Sequence, residues 1–461
     1  MAAPYWYGMT DDDDRDAGGA CLLLPITGFV HARRWLARAA WTTWSVAAIE
    51  ALMLLAGLGA GSPPVVLAGL ALVAVQAVLP FSMREALAAG RAVRRPASAL
   101  VVLVPSSLIV TAIALAPVPD HGVALAYLAL LAAIVIFVGS RARRALAFVT
   151  GETARAEEPV FLGRWLFGWP SRPRRSPAVS RPAARGWWLA AGVAIAALLA
   201  HIVLFESGAV RVGVPVALYL LPAGFAIHRA RRHAMPSAGQ SRRADSRAPV
   251  LILRSFRDDA MNVERGARWR GWLRLRPTLE EIAAHATAAL GPPIAIGDPS
   301  EKLPPLGAAR DYLADADWRG VVTALIDEAA LVILVLGDSD NLYWEFATTM
   351  QRRDGRAVLV VLPPLARREA LVARWRRFAV ANAAILGPGF PGELPASPVA
   401  GFFFCRRQAV LIAGGRDGSL AYRLAIGLFA ALQADGPETA AALRSHLAAR
   451  LPSLAIVADA G

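Results

Sequence analysis

Two patterns of apolar and polar positions divide the chain. In the first half, long apolar runs alternate with arginine-bearing stretches. Six runs reach the ~17–25 residues that a bilayer-spanning helix needs: Trp41–Leu58, Pro64–Phe81, Ala99–Ala116, Val123–Ser140, Trp187–Phe205 and Gly213–Ile227. Arg33, Arg34 and Arg38 precede the first run. Arg84, Arg91, Arg94 and Arg95 follow the second, Arg141, Arg143, Arg144, Arg164, Arg172, Arg174 and Arg175 the fourth, and Arg229, Arg231 and Arg232 the sixth. The other intervening stretches hold only Arg211. By the positive-inside rule this alternation predicts six spans in the inner (plasma) membrane, with both termini cytosolic. Glu50 and His201 fall inside the runs, where ionisable groups are functional candidates. Phe161–Trp169, reading FLGRWLFGW, fits a short interfacial helix or a plain basic linker.

After His233 the pattern changes. Short apolar blocks at Val250–Phe256, Pro293–Ile296, Leu331–Leu336, Ala357–Leu362 and Gln408–Ile412 predict strands. Between and after them, Thr278–Leu290, Trp318–Ala330, Leu342–Arg352, Arg367–Val380 and Leu420–Ala434 have helical spacing. Continuously apolar strands alternating with helices predict a parallel sheet covered on both faces, of flavodoxin-like type. The segment 381–404 fits neither period. The expected organisation is an N-terminal cytosolic segment 1–40, a six-helix membrane domain 41–228 with a basic cytosolic loop 141–186, a linker 229–248 and a cytosolic α/β domain 249–461.

Composition sharpens this reading. The chain has 461 residues, 56% hydrophobic and only 18% charged, against about 25% charge for an ordinary soluble chain. A single soluble domain and a disordered chain are both excluded. The net charge of +14 raises nucleic acid as a partner, but the arginines sit between apolar runs, so none is expected. Lys302 is the only lysine among 49 basic residues. Cys21 and Cys405 stand far apart without metal-ligand spacing, so neither a disulfide framework nor a metal site is expected. No cofactor signature appears: no GxxxxGK, GxGxxG after a strand, HExxH or GxSxG.

Two polar clusters carry the candidate chemistry. Arg254-Ser255-Phe256-Arg257-Asp258-Asp259 follows the first strand, and Asp338-Ser339-Asp340-Asn341-Leu342-Tyr343-Trp344-Glu345 follows the third. Ligands of open α/β sheets bind beyond the carboxyl ends of the strands, where strand order reverses. In the order 2-1-3-4-5, both clusters face one crevice. Cleavage of an N-glycosidic bond passes through an oxocarbenium-like state that a carboxylate stabilises or attacks, and an aromatic ring stacks on a base. Glu345 and Trp344 offer both. Plainer roles compete. A glutamate in a first helical turn complements the helix dipole. Ser339, Asp340 or Asn341 caps that helix, and Asp258 and Asp259 cap or face solvent. Arg254 and Arg257 bind phosphate or pair with neighbouring acids, Trp318 anchors the core, and His285 is structural.

The stretch Pro249–Asp259, PVLILRSFRDD, resembles the first box of TIR and TIR-like domains. Ala330–Ala347, ALVILVLGDSDNLYWEFA, is similar to the third strand and following helix of bacterial TIR-like domains, with Asn341, Leu342, Trp344, Glu345, Phe346 and Ala347 filling the pattern. The resemblance covers about residues 250–362. It implies a signalling or defence effector that binds a nucleotide and hydrolyses its glycosidic bond, with NAD as substrate rather than cofactor. It places the catalytic role on Glu345, substrate binding on Arg254, Ser255, Phe256, Asp258, Asp259, Asn341 and Trp344, and self-association on the TIR-like domain. The tryptophan departs from many animal and plant members, where it lies about one turn before the glutamate. Expected partners are thus the lipid bilayer, a nucleotide and a second copy of the chain. The alternatives are a non-enzymatic TIR-like interaction module and a small transporter with a regulatory cytosolic domain.

Overall fold

The computed structural model describes residues 21–56, 63–90, 108–112, 121–155, 159–168, 182–204, 209–255, 263, 277–297, 304, 306–312, 318–353, 357–365, 367–405, 408–414 and 418–434. The chain forms two compact units, one of Thr27–Trp169 and one containing the segments up to Ile26 and Pro170–Gly436.

The first unit is helical: α1 (Thr27–Ala56), α2 (Pro63–Ala88), α3 (His121–Arg155) and α4 (Pro159–Phe167). Rings and side-chain-to-backbone bonds join them. Phe29 meets Phe148 and Trp165 edge-on, and Trp44 Nε1 donates to Ala77 O at 2.9 Å. The FLGRWLFGW segment is helical rather than a plain linker. Its helix α4 buries Leu162, Leu166 and Phe167, and its last carbonyls accept from Arg33 and Arg84. Gly163 lets it touch α2, since a Cβ there would lie 2.2 Å from Leu87 O.

This unit overturns the expected six-span domain. Among the described residues only one helix, Val66–Ala88, is long and apolar enough to cross a membrane, so a multipass membrane domain is not supported. The arginines explain the misreading. Those assigned to inter-span loops lie inside helices: Arg33, Arg34 and Arg38 in α1, Arg84 in α2, Arg141, Arg143 and Arg144 in α3. For these arginines the alternation of spans and basic loops does not hold; Arg91, Arg94, Arg95, Arg172, Arg174 and Arg175 lie outside the described residues. Polar groups also sit within the packed interior, Glu50 and Gln76 fully buried among them. Most of the run Ala99–Ala116 lies outside the described residues.

The second unit contains α5 (Pro182–Leu204) and α6 (Ala209–His233). These helices pack against one another antiparallel, Trp187 against Phe225 and His201 against Tyr219. The arginines Arg229, Arg231 and Arg232, also assigned to a loop, belong to α6. A short helix α7 (Ala238–Ala244), capped by Ser237, leads into the sheet.

The sheet has eight strands in the order β1-β8-β7-β6-β5-β2-β3-β4. They are β1 (Leu22–Pro25), β2 (Val250–Leu253), β3 (Pro293–Gly297), β4 (Ala309–Tyr312), β5 (Leu331–Val335), β6 (Val358–Val361), β7 (Val399–Cys405) and β8 (Gln408–Ala413). It is mixed, not wholly parallel, because β7 runs antiparallel to both β6 and β8. The segment 381–404 that fitted neither period supplies a short helix, α12 (Ala383–Leu386), and β7. The N-terminal β1 pairs with β8, so the helical unit is inserted between the first and second strands of one sheet. The remaining helices are α8 (Leu279–Thr287), α9 (Trp318–Glu328), α10 (Asp340–Arg353), α11 (Arg368–Ala381) and α13 (Ser419–Ala434). The central strands β2, β5 and β6 are buried at every position. Their side chains join Val322, Leu325 and Ile326 of α9, Leu342 and Phe346 of α10, and Trp375 and Phe378 of α11 in one core. Such continuous burial is what parallel strands covered on both faces produce.

Candidate active site at the strand-order reversal

The chain builds β2, β3 and β4 outward in one direction, then returns so that β5 pairs with β2 on its other side. The order reverses between β2 and β5, where open sheets form a ligand crevice. Leu253 pairs with Leu334 at the carboxyl ends of these strands. The segments just beyond meet: a Cβ on Gly337 would lie 3.7 Å from Ser255 Cβ and 2.8 Å from Leu342 Cδ2. Glycine at 337 thus lets the two strand ends and the start of α10 converge.

Helix α10 rises from this point. Ser339 caps it, accepting from Leu342 N at 3.4 Å through Oγ and from Tyr343 N at 3.2 Å through its carbonyl. Asp340 is the acidic residue of the first turn. Glu345 is one turn further on, so the helix-dipole role belongs to Asp340, and the first-turn placement of Glu345 is corrected. The Glu345 backbone carbonyl accepts from Thr349 Oγ1 at 2.6 Å. The residue is buried, and among the described residues no donor hydrogen-bonds to its carboxylate. Burial pushes this carboxyl from its ordinary 4.5 up to about 8. A buried carboxylate without a partner resists ionisation because the low-dielectric interior replaces none of its hydration.

The β2 side is the reverse. Arg254 points to Glu280 in the first turn of α8, with Nε donating to Oε2 at 2.8 Å and a terminal nitrogen 2.7 Å from it. Arg310 of β4 donates to the same oxygen at 2.8 Å and to Ile296 O at 3.0 Å. Ala308 N donates to Glu280 Oε1 at 3.0 Å. All three side chains are at most 4% exposed. Arg254 therefore pairs with a distant acid and helps hold the strand end.

The other expected residues are distributed as follows. Ser255 lies half-buried just beyond the end of β2, and Asn341 is exposed on the first turn of α10. Trp344 packs edge-to-face on Trp318 at 5.1 Å, with the Arg319 guanidinium 5.2 Å over its ring, so its indole covers α9. Phe256, Arg257, Asp258 and Asp259 lie outside the described residues. His285 Nδ1 lies 2.7 Å from Glu281 O, a local helical contact. On the α11 side, Arg377 donates to Asp338 Oδ2 at 3.3 Å and Arg374 to Leu336 O at 3.4 Å. Burial raises the Tyr343 hydroxyl above its usual range, and Arg377 opposes that shift.

Glu280, Arg310 and Gly337 are site residues that the sequence reading passed over. Thr278-x-x-Glu281 is a capping-box signature, and both of its bonds are formed, so the start of α8 was open to prediction. Nothing local marks Arg254 and Arg310 as sharing the Glu280 carboxylate. Among the described residues no group of three or more metal-ligating side chains occurs. No protein-family model, curated protein or solved structure matches the chain.

Proposed function

We propose that the second unit is a TIR-like domain that binds a nucleotide in the crevice between β2 and β5 and cleaves its N-glycosidic bond, with NAD as substrate and Glu345 as the catalytic carboxylate. One observation carries this reading: Glu345 is a buried carboxyl that no described donor reaches, beside the strand-order reversal. A fold retains an acid whose ionisation burial disfavours at a cost in stability, and perturbed acids of this kind cluster at functional sites. The Asn341–Ala347 pattern and the Ser255–Gly337 convergence support the same assignment.

The chemistry follows from the environment. Breaking the bond leaves positive charge on the sugar ring, the ionised Glu345 carboxylate stabilises it or attacks it, and water then adds at that carbon, giving the free sugar hydroxyl and releasing one proton to solvent. A neutral pyridine leaving group needs no proton from the protein. In the free protein a carboxyl with a pKa of about 8 is mostly neutral at pH 7. A ligand that brings positive charge beside it favours the ionised form, so the substrate itself generates the reactive carboxylate. Low dielectric then strengthens the attraction between carboxylate and developing cation.

The test is NAD turnover by the full chain, assayed dilute and forcibly clustered, beside Glu345→Gln. The full chain is required because β1 completes the sheet from the N-terminal end. Release of nicotinamide by the wild type and its loss in a folded Glu345→Gln variant would support the assignment. No release from either preparation would refute hydrolysis and favour the interaction module.

A further inference from the structure

We infer that the start of α8 is a joint coupling the end of α6 to the crevice, with Glu280 as a positioning residue for the strand end that carries Ser255. The functional importance of that strand end rests on the reading proposed above. The joint itself rests on geometry alone.

Two consecutive glutamates divide the task. Glu281 faces α6, and its Oε1 lies 3.4 Å from the Arg231 guanidinium. Its other oxygen accepts from Thr278 N at 2.9 Å, closing the capping box. Glu280 faces the sheet and holds Arg254, Arg310 and Ala308 N. The segment around Ala308 is gripped from α6 as well, because Arg232 Nε donates to Pro304 O at 2.9 Å. Two neighbouring arginines at the end of α6 thus hold both pieces of chain that Glu280 joins to Arg254.

Gly307 makes this closeness possible. Its φ is +137°, a backbone conformation that side-chain-bearing residues avoid. A Cβ there would lie 2.9 Å from Glu280 Cγ and 3.1 Å from Glu281 N. The chain after β3 is therefore laid directly on the α8 N-terminus. The β4 side is tied in as well, since Ser237 bridges to Arg310 just after α6 ends. A buried carboxylate shared by two guanidiniums has strict geometric demands, so a shift of α8 moves Arg254 with it. Coupling of this kind is a free energy between two places and is measurable as such.

The experiment is hydrogen–deuterium exchange on the full chain, comparing wild type, Arg231→Ala/Arg232→Ala and, as control, Arg242→Ala. The control breaks a partly exposed pair between α7 and α9, Arg242 with Glu328 at 3.0 Å, which touches neither Glu280 nor Glu281. The double variant should speed exchange at residues 250–255 by roughly two- to fivefold, the range that one exposed ion pair and one hydrogen bond sustain. Exchange in β7 and β8 should stay unchanged. Unchanged exchange at 250–255, or equal acceleration in the control, would overturn the joint. Gly307→Ala, which forces the two segments apart, should accelerate the same residues more strongly, and its failure to do so would also overturn it. NAD turnover measured alongside separates the two claims. If the wild type releases nicotinamide, the double variant should lower kcat/KM by a similar two- to fivefold. If the wild type releases none, the catalytic reading fails while exchange still decides the joint.

Discussion

The two sides of the strand-order reversal treat a buried glutamate in opposite ways. On the β2 side Glu280 sits among two arginines and a backbone N–H, and its charge is fully answered. On the β5 side, in the helix that follows the strand, Glu345 is buried to a similar degree and receives no described donor, so burial pushes its carboxyl up to about 8. One acid is placed for architecture, because a compensated ion cluster pins three strand ends. On the reading proposed above the other serves reactivity, because a buried carboxyl with no described donor favours a positive partner. Burial alone does not separate the two roles; the donors around each carboxylate do.

This contrast is open to direct attack. The largest effect is expected at Glu345, where Glu345→Gln should reduce NAD turnover by about 10²–10³-fold, the scale of losing one electrostatic transition-state contact. Circular dichroism should show an intact fold. Retained turnover in a folded variant would contradict catalysis by this residue. Next in size is Glu280→Gln, which takes the shared charge from two buried guanidiniums. Breaking a buried pair costs ~3–5 kcal/mol, which for a domain of this size lowers Tm by roughly 6–20 °C. A smaller effect, read by calorimetry on the full chain, would mean that the cluster is not the clamp described. A gentler probe is pH. In the free protein the ionised fraction of Glu345 rises about tenfold per unit below its pKa. The kcat/KM for NAD should therefore climb with pH and level off near 8. A profile already flat at pH 6 would place the essential carboxylate elsewhere.

The central strands and the place where their order reverses were legible in the sequence, for a physical reason. Blocks such as Leu331–Val335 are apolar at every position because both sheet faces are covered, and the polar residues that follow them must lie at the carboxyl edge. Strand order then brings Ser255 and Gly337 together. The Glu280 cluster was not legible, since Glu280 and Arg310 lie 26 and 56 residues beyond Arg254 in the sequence. The strand β1 was equally hidden, because four residues beside a long helix find their partner β8 nearly the whole chain away. The helical unit misled for a different reason. Arginine beside an apolar run reads as a loop, yet guanidiniums such as those of Arg33 and Arg84 remain helical and cap the end of α4.

The central claim is that Glu345 is buried and uncompensated, and the stability of the full chain against pH tests it most directly. Its folded-state pKa of about 8 exceeds the ordinary 4.5, so between these values the folded chain keeps a proton that the unfolded chain has released. Stability from this group is fully present below about 4.5, declines as pH rises, and is lost by about 8. Glu345→Gln cannot ionise and escapes that loss. Denaturant unfolding of both proteins across this range should show the variant gaining on the wild type steadily up to pH 8, by a few kcal/mol in all, and then no further. A stability difference that stays constant across the range would contradict the claim.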